Sequence, residues 1–248
     1  MTLRTSALIS AVLAGALLAS LPADAARKPL RLRETCVTRA ERAHVLRFRA
    51  TDGVRLVGVE LGAGPHVVIL AHQGASDLCI WVPYGRTLAG RGYRVLVFDH
   101  RGFGSSGQSG RSTRRDRVDY DVLAAIQTMR GRGATTVVVG GGSLGGAAAL
   151  AGSARAVPPV DAVMSLSSPT RYEKIDVLAA ARRITVPALF MAADEDQPFP
   201  YEARTMYEAC PAAEKQLAIF PGFEHGVLIL RDPQALALVD EFVARHSQ

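Results

Sequence analysis

One stretch constrains this chain more than any other: Thr136-Val137-Val138-Val139-Gly140-Gly141-Gly142-Ser143-Leu144-Gly145-Gly146-Ala147-Ala148-Ala149-Leu150. The β-branched run before it suits a strand and the alanine-rich run after it suits a helix. The spacing Gly141-x-Ser143-x-Gly145 predicts a sharp strand-to-helix turn with the serine at its apex. Strand and helix approach closely at such a turn, so the residues two before and two after the serine must be small. A phosphate-binding loop would end in Gly-Lys-Ser/Thr, which this run lacks.

The rest of the chain alternates as that turn requires. His44–Ala50 and Arg55–Leu61 flank Thr51-Asp52-Gly53 and predict an antiparallel hairpin. Apolar runs at Val67–Ala71, Arg94–Phe98, Thr135–Val139, Val160–Leu166, Ala188–Met191 and Gln216–Phe220 predict strands covered on both faces. Helices are expected over Cys79–Gly90, Thr113–Met129, Leu144–Ala154, Tyr172–Arg183, Tyr201–Cys210 and Pro233–Arg245. The expected class is therefore α/β: a doubly wound, mostly parallel sheet with helices on both faces after an N-terminal antiparallel hairpin. Only one helix fits between Ser168 and Pro187, so no large cap domain is expected.

Residues 1–25 combine Arg4, an apolar run over Ser6–Leu21, and Pro22-Ala23-Asp24-Ala25. Small residues stand at the two positions a signal peptidase reads, which predicts a signal peptide cut after Ala25 and a secreted or extracytoplasmic product without a stable membrane anchor. Residues 26–248 then form one domain. Export permits a disulfide. Cys36 precedes the first hairpin and Cys79 opens the first major helix, so these two are expected to pair, whereas Cys210 ends a helix across the sheet. No Cys or His pair has metal-ligand spacing. The net charge of +6 is unchanged by removing Arg4 and Asp24. Basic residues are scattered apart from Arg111, Arg114, Arg115 and Arg117, which suit a solvated helix start better than a nucleic-acid groove.

Further motifs carry a family resemblance. Asp99-His100-Arg101-Gly102-Phe103-Gly104-Ser105-Ser106 is similar to the Asp-x-Arg-Gly-x-Gly-x-Ser loop of the α/β-hydrolase family, and His72-Gln73-Gly74 resembles its His-Gly oxyanion turn. Pro187–Phe190 leading to Asp194-Glu195-Asp196-Gln197-Pro198-Phe199-Pro200 resembles the acid-bearing strand end. Phe220-Pro221-Gly222-Phe223-Glu224-His225-Gly226 resembles the histidine loop. The likeness runs from about Val54 to the C-terminus.

That resemblance implies Ser143 as nucleophile, since a serine hydroxyl needs an adjacent base. The family order of serine, acid, histidine leaves His225 and His246; His246 lies two residues from the end, and His225 sits in the glycine-flanked loop. Asp194, Glu195 and Asp196 all follow the strand, and the family spacing acid-x-x-x-Pro matches Asp196 with Pro200. The Leu144 N–H and, by position, that of Gly74 are the implied oxyanion donors, with the Gln73 side chain also facing the site. Here His72-Gln73-Gly74 replaces the family's His-Gly-x. Asp99 and Arg101 are read as structural. The implied activity is hydrolysis of a carboxylic ester or related acyl bond of a small molecule through an acyl-enzyme, without metal or organic cofactor. Peptidase, thioesterase, lactonase and cofactor-free haloperoxidase activity share this framework, as does a non-catalytic binding protein. Trp81, Tyr84, Phe103, Phe199 and Phe223 are candidate walls of an open site.

Overall fold

The computed structural model describes residues 31–108 and 116–247. The expected signal peptide and Arg111, Arg114 and Arg115 lie outside the described residues.

Strands β1 (Val45–Arg49) and β2 (Arg55–Leu61) form the expected hairpin, closed by Ala50 N–H donating to the Val54 carbonyl at 2.9 Å. Then follow β3 (His66–Ala71), α1 (Val82–Gly90), β4 (Arg94–Asp99), α2 (Val118–Gly131), β5 (Thr136–Gly142), α3 (Leu144–Ser153) and β6 (Ala162–Leu166). A two-residue ribbon, β7 (Arg171–Tyr172) with β8 (Ile175–Asp176), leads into α4 (Val177–Ala181), β9 (Ala188–Ala193), α5 (Phe199–Ala209), β10 (Lys215–Phe220) and α6 (Pro233–His246). The main sheet has the order β1-β2-β4-β3-β5-β6-β9-β10 and is parallel from β4 through β10.

Successive side chains of a strand point to opposite faces, and both faces here are covered. Val67, Ile69, Val137, Val139 and Phe190 pack with residues of α2, α3, α4 and α5. Val68, Leu70, Val138, Met164 and Leu189 pack on the other face with residues of α1 and α6. The strands in the middle of the sheet are thus apolar on both faces apart from their ends and Ser165, which is why their sequences show continuous runs rather than an alternation.

The helix expected over Tyr172–Arg183 is shorter than its sequence suggested. Glu173 turns the chain at φ 49°, and Asp176 accepts the Ala179 N–H at 2.9 Å, so the helix starts only at Val177. No cap is inserted: the segment between β6 and β9 holds only the ribbon and α4. Three of the five candidate wall aromatics belong to the core. Trp81 is fully buried with its indole N–H on the Ala71 carbonyl, and Tyr84 and Phe103 are also buried, because their bulk fills space beside the sheet.

Two links hold the N-terminal segment to the sheet edge. Cys36 and Cys79 are joined by the expected disulfide, closing a loop of 43 residues. On the chain-entropy model such a closure stabilises by about 4 kcal/mol. Beside it, Glu34 meets the loop after β4: the Ser105 hydroxyl bonds Glu34 at 2.7 Å, while Asp99 accepts Leu78 N–H at 2.9 Å and Ser105 N–H at 2.7 Å. Asp99 is fully buried. Burial pushes its carboxyl up to about 8 against those two donors, with Glu34 adding in the same direction. Glu34 is held below the usual range, because hydrogen bonds from Ser105, Asp99 and the main chain outweigh its own burial. The two neighbouring carboxyls are thus pushed in opposite directions. Arg101, the other structural candidate, bonds Asp52 and Asp121.

A raised native pKa on Asp99 means the folded state binds more protons than the unfolded one between about 3.8 and about 8. Its contribution is complete below that window, is lost as pH rises through it, and is flat above. Thermal unfolding followed from pH 5 to 9 should show this decline, and Asp99→Asn, which removes the titrating group, should flatten it. Equal slopes in the two proteins would exclude Asp99 as its source.

Candidate active site

The apex of the turn after β5 is strained as its sequence requires. Ser143 stands at φ 51° and ψ −118°, a conformation that costs a non-glycine residue about 1–3 kcal/mol. The surroundings over-determine it. Its N–H donates to the Leu166 carbonyl at 2.7 Å, and its carbonyl accepts Ala147 N–H at 2.9 Å as the first bond of α3. A methyl group at Gly141 would run into the Gly145 carbonyl, and one at Gly145 would run into the main chain of Ala71 and His72. A third glycine, Gly146, is needed because the Ser168 hydroxyl occupies the place of its Cβ. The doublet Gly145-Gly146 is the sequence signal for this last contact.

Leu144 opens α3, so its N–H has no acceptor within the helix and lies at the positive end of the helix dipole. The close approach at Gly145 sets that N–H beside the turn following β3, the segment holding Gln73 and Gly74. Gly74 has nothing within 4 Å of where a Cβ would stand, so its surroundings are open. The Gln73 side chain is engaged with the histidine loop: its Oε1 accepts the Val227 N–H at 2.9 Å.

Asp196 and His225 meet. Nδ1 of His225 lies 2.8 Å from Oδ2 of Asp196, and the carboxylate side chain is 11% exposed. A carboxylate can only accept, so Nδ1 carries the proton and Nε2 is left as the basic nitrogen. The Phe199 ring packs on the imidazole at a centroid distance of 4.5 Å. This contact, unlike the histidine itself, has no separate signature in the sequence. Phe223, in the same loop, is 73% exposed.

Asp194 does other work. Strand β9 runs to Ala193, two residues beyond the expected end, and Asp194 N–H continues the ladder onto the Phe220 carbonyl at 2.9 Å. Its Oδ1 accepts Gly222 N–H at 2.8 Å, and Glu195 N–H donates back to the Gly222 carbonyl at 2.9 Å. These bonds tie the loop carrying Asp196 to the loop carrying His225. The histidine loop then folds over the serine turn: a methyl at Gly142 would stand 2.8 Å from Val227 N and 3.2 Å from Gly226 C. Among the described residues no group of three or more His, Cys, Asp or Glu side chains could hold a metal ion. Nor is any described helix long and apolar enough to cross a membrane.

A family model described as the alpha/beta hydrolase fold matches residues 66–182, the span from β3 through α4 that includes Ser143. Among curated proteins, the uncharacterised protein YfhR of Escherichia coli O157:H7 is 34% identical over 119 residues, which cover 44% of this chain and 41% of that protein. The chain thus spans about two fifths of the length of the curated relatives it matches; for the strain K12 protein the shares are 42% and 39% at 33% identity. Among solved structures, an esterase of Pyrococcus furiosus superposes with a TM-score of 0.71 at 21% identity, covering 82% of this chain and 90% of the other. An enol-lactonase of Burkholderia xenovorans gives 0.64 at 18% identity, covering 79% and 98%. A monoacylglycerol lipase of Paleococcus ferrophilus gives 0.65 at 15%, covering 76% and 98%.

The different partners of the two aspartates lead to opposite expectations. Asp196→Asn removes the counter-charge and the tautomer control of His225, a loss of about 10⁴ in turnover where such a change has been made in a triad. Asp194→Asn keeps an oxygen for Gly222 N–H and should cost little. Turnover and thermal midpoint of both variants check this; the reverse ranking in folded proteins would transfer the acid's role to Asp194.

Proposed function

This chain has the α/β-hydrolase fold, and we propose on that footing that it is an exported serine hydrolase cleaving a carboxylic ester or related acyl bond. The observation that carries the reading is the His225–Asp196 hydrogen bond of 2.8 Å in a loop that folds over the strained Ser143 turn. In this reading the Ser143 hydroxyl attacks the acyl carbonyl while Nε2 of His225 takes its proton. Asp196 holds the imidazole in the tautomer that leaves Nε2 free and stabilises the imidazolium that forms. Negative charge developing on the carbonyl oxygen falls to the Leu144 N–H, at the N-terminus of α3, and to an N–H of the Gln73-Gly74 turn. The imidazolium then protonates the leaving group, and His225 activates the water that releases the acid. No step needs a metal or an organic cofactor.

Esters are placed first because the esterase, lactonase and lipase named above share the fold. The absence of an inserted cap between β6 and β9, with Phe199 and Phe223 beside the histidine, fits a short soluble substrate reached from open solvent. Export is supported by the Cys36–Cys79 disulfide, a bond that persists in oxidising compartments, and by the signal-peptide pattern over residues 1–25.

Ser143→Ala should abolish labelling by a fluorophosphonate probe and lower ester turnover by several orders of magnitude, because base and oxyanion donors act only on a nucleophile. A panel of esters, thioesters and peptides of graded length, run against both proteins, identifies the acyl bond. Undiminished labelling of the variant would remove Ser143 from the chemistry.

A further inference from the structure

We propose that Gln73 is a positioning residue for His225: its side-chain oxygen, by accepting the Val227 N–H, pins the histidine loop to the turn after β3. The proposal rests on the reading of Ser143, Asp196 and His225 as a triad and adds to it the group that fixes the third member's backbone.

The histidine loop is anchored at three points. Upstream, Gly222 is bonded to Asp194 and Glu195. In the middle, the His225 ring is bonded to Asp196. Downstream, Val227 N–H donates to Gln73 Oε1 at 2.9 Å. Val227 is 7% exposed, and a buried main-chain N–H requires an acceptor. Here a side chain 154 positions away supplies it. The surroundings are shaped around that oxygen. Gly226 has φ 60°, and a Cβ there would lie 2.5 Å from Gln73 Oε1, so a glycine is required on both counts. The same two residues, Gly226 and Val227, rest on Gly142, the neighbour of Ser143. Gln73 itself is fixed, since its carbonyl receives the Ser76 hydroxyl at 3.0 Å and lies 2.8 Å from His72 Nδ1.

The carboxamide thus joins the histidine loop to the turn expected to supply an oxyanion donor, at the two residues, Gly226 and Val227, that rest against Gly142 beside the serine. In the His-Gly-x pattern a glycine stands where this chain has Gln73, and it would offer no such oxygen. Because Oε1 is committed to Val227, the carboxamide is held in one orientation, and loss of the acceptor frees the backbone of Gly226 and Val227 while leaving the Asp196 bond in place. A displacement of about 1 Å in a catalytic base can lower rate about 100-fold without changing what binds.

The test compares Gln73→Met, which keeps the shape and loses the acceptor, with Gln73→Glu, which keeps an acceptor oxygen. Each is made in the full chain and assayed for fluorophosphonate labelling rate, kcat and KM on a soluble ester, and thermal midpoint. Gln73→Met should lower kcat and labelling rate about 10- to 100-fold with KM within about threefold, and Gln73→Glu should recover most of that loss. Gln73→Asn, one methylene too short to reach Val227, replaces the methionine variant if that one does not fold. Wild-type kcat and labelling in the acceptor-less variant would overturn the proposal, as would equal losses in the glutamate variant. A wild-type protein that does not label at all would defeat the triad reading instead, so the two failures are distinguishable.

Discussion

The close approach of β5 and α3 at Gly141 and Gly145 governs the rest of the site. It is a backbone-on-backbone contact in which no Cβ can be accommodated on either side, and it forces Ser143 to φ 51°. The strain is offset locally, by the Leu166 carbonyl on the Ser143 N–H and by the start of the α3 ladder. The same contact seats the first turn of α3 against the end of β3, because Gly145 also lies on the carbonyls of Ala71 and His72. One steric constraint thus sets the serine at the apex of the turn, starts α3 directly after it, and seats that start against the end of β3.

Everything else at the site is attached to that junction through loop ends at one edge of the sheet. Parallel strands release their chains at the same edge, so the ends of β3, β5, β9 and β10 are neighbours although far apart in sequence. Their loops carry Gln73, Ser143, Asp196 and His225 respectively. The sheet supplies proximity within a few ångströms, and hydrogen bonds between the loops supply the remainder.

Features legible in the sequence are those in which one local segment suffices. The β-branched runs identify the strands, because covering both faces leaves few polar positions, and Gly-x-Ser-x-Gly identifies the serine turn, because sterics permit little else. The hairpin and the cysteine pairing follow from turn chemistry and position. Features without a local signature depend on partners outside their own segment. Trp81 reads as a wall residue until the Ala71 carbonyl is seen to take its indole N–H. The meeting of Glu34 with Ser105 and Asp99 links residues on two separate segments. The short α4 has a local cause: within the apolar periodicity over Tyr172–Arg183, Asp176 caps the helix and starts it at Val177.

Asp194 and Asp196 show how register converts similar residues into different parts. They are two positions apart and chemically identical, and both lie near the histidine loop. Strand β9 extends to Ala193 and pairs it with Phe220, which places Asp194 at the last rung and directs it to the Gly222 main chain. The chain then turns, with Asp196 N–H on the Ala193 carbonyl and Phe199 N–H on the Asp196 carbonyl, and this turn brings the second carboxylate to the imidazole. Had the ladder stopped at Met191, the first carboxylate would have been released two residues earlier and could have taken the ring nitrogen. The length of one strand therefore decides which aspartate is the loop clasp and which faces the histidine.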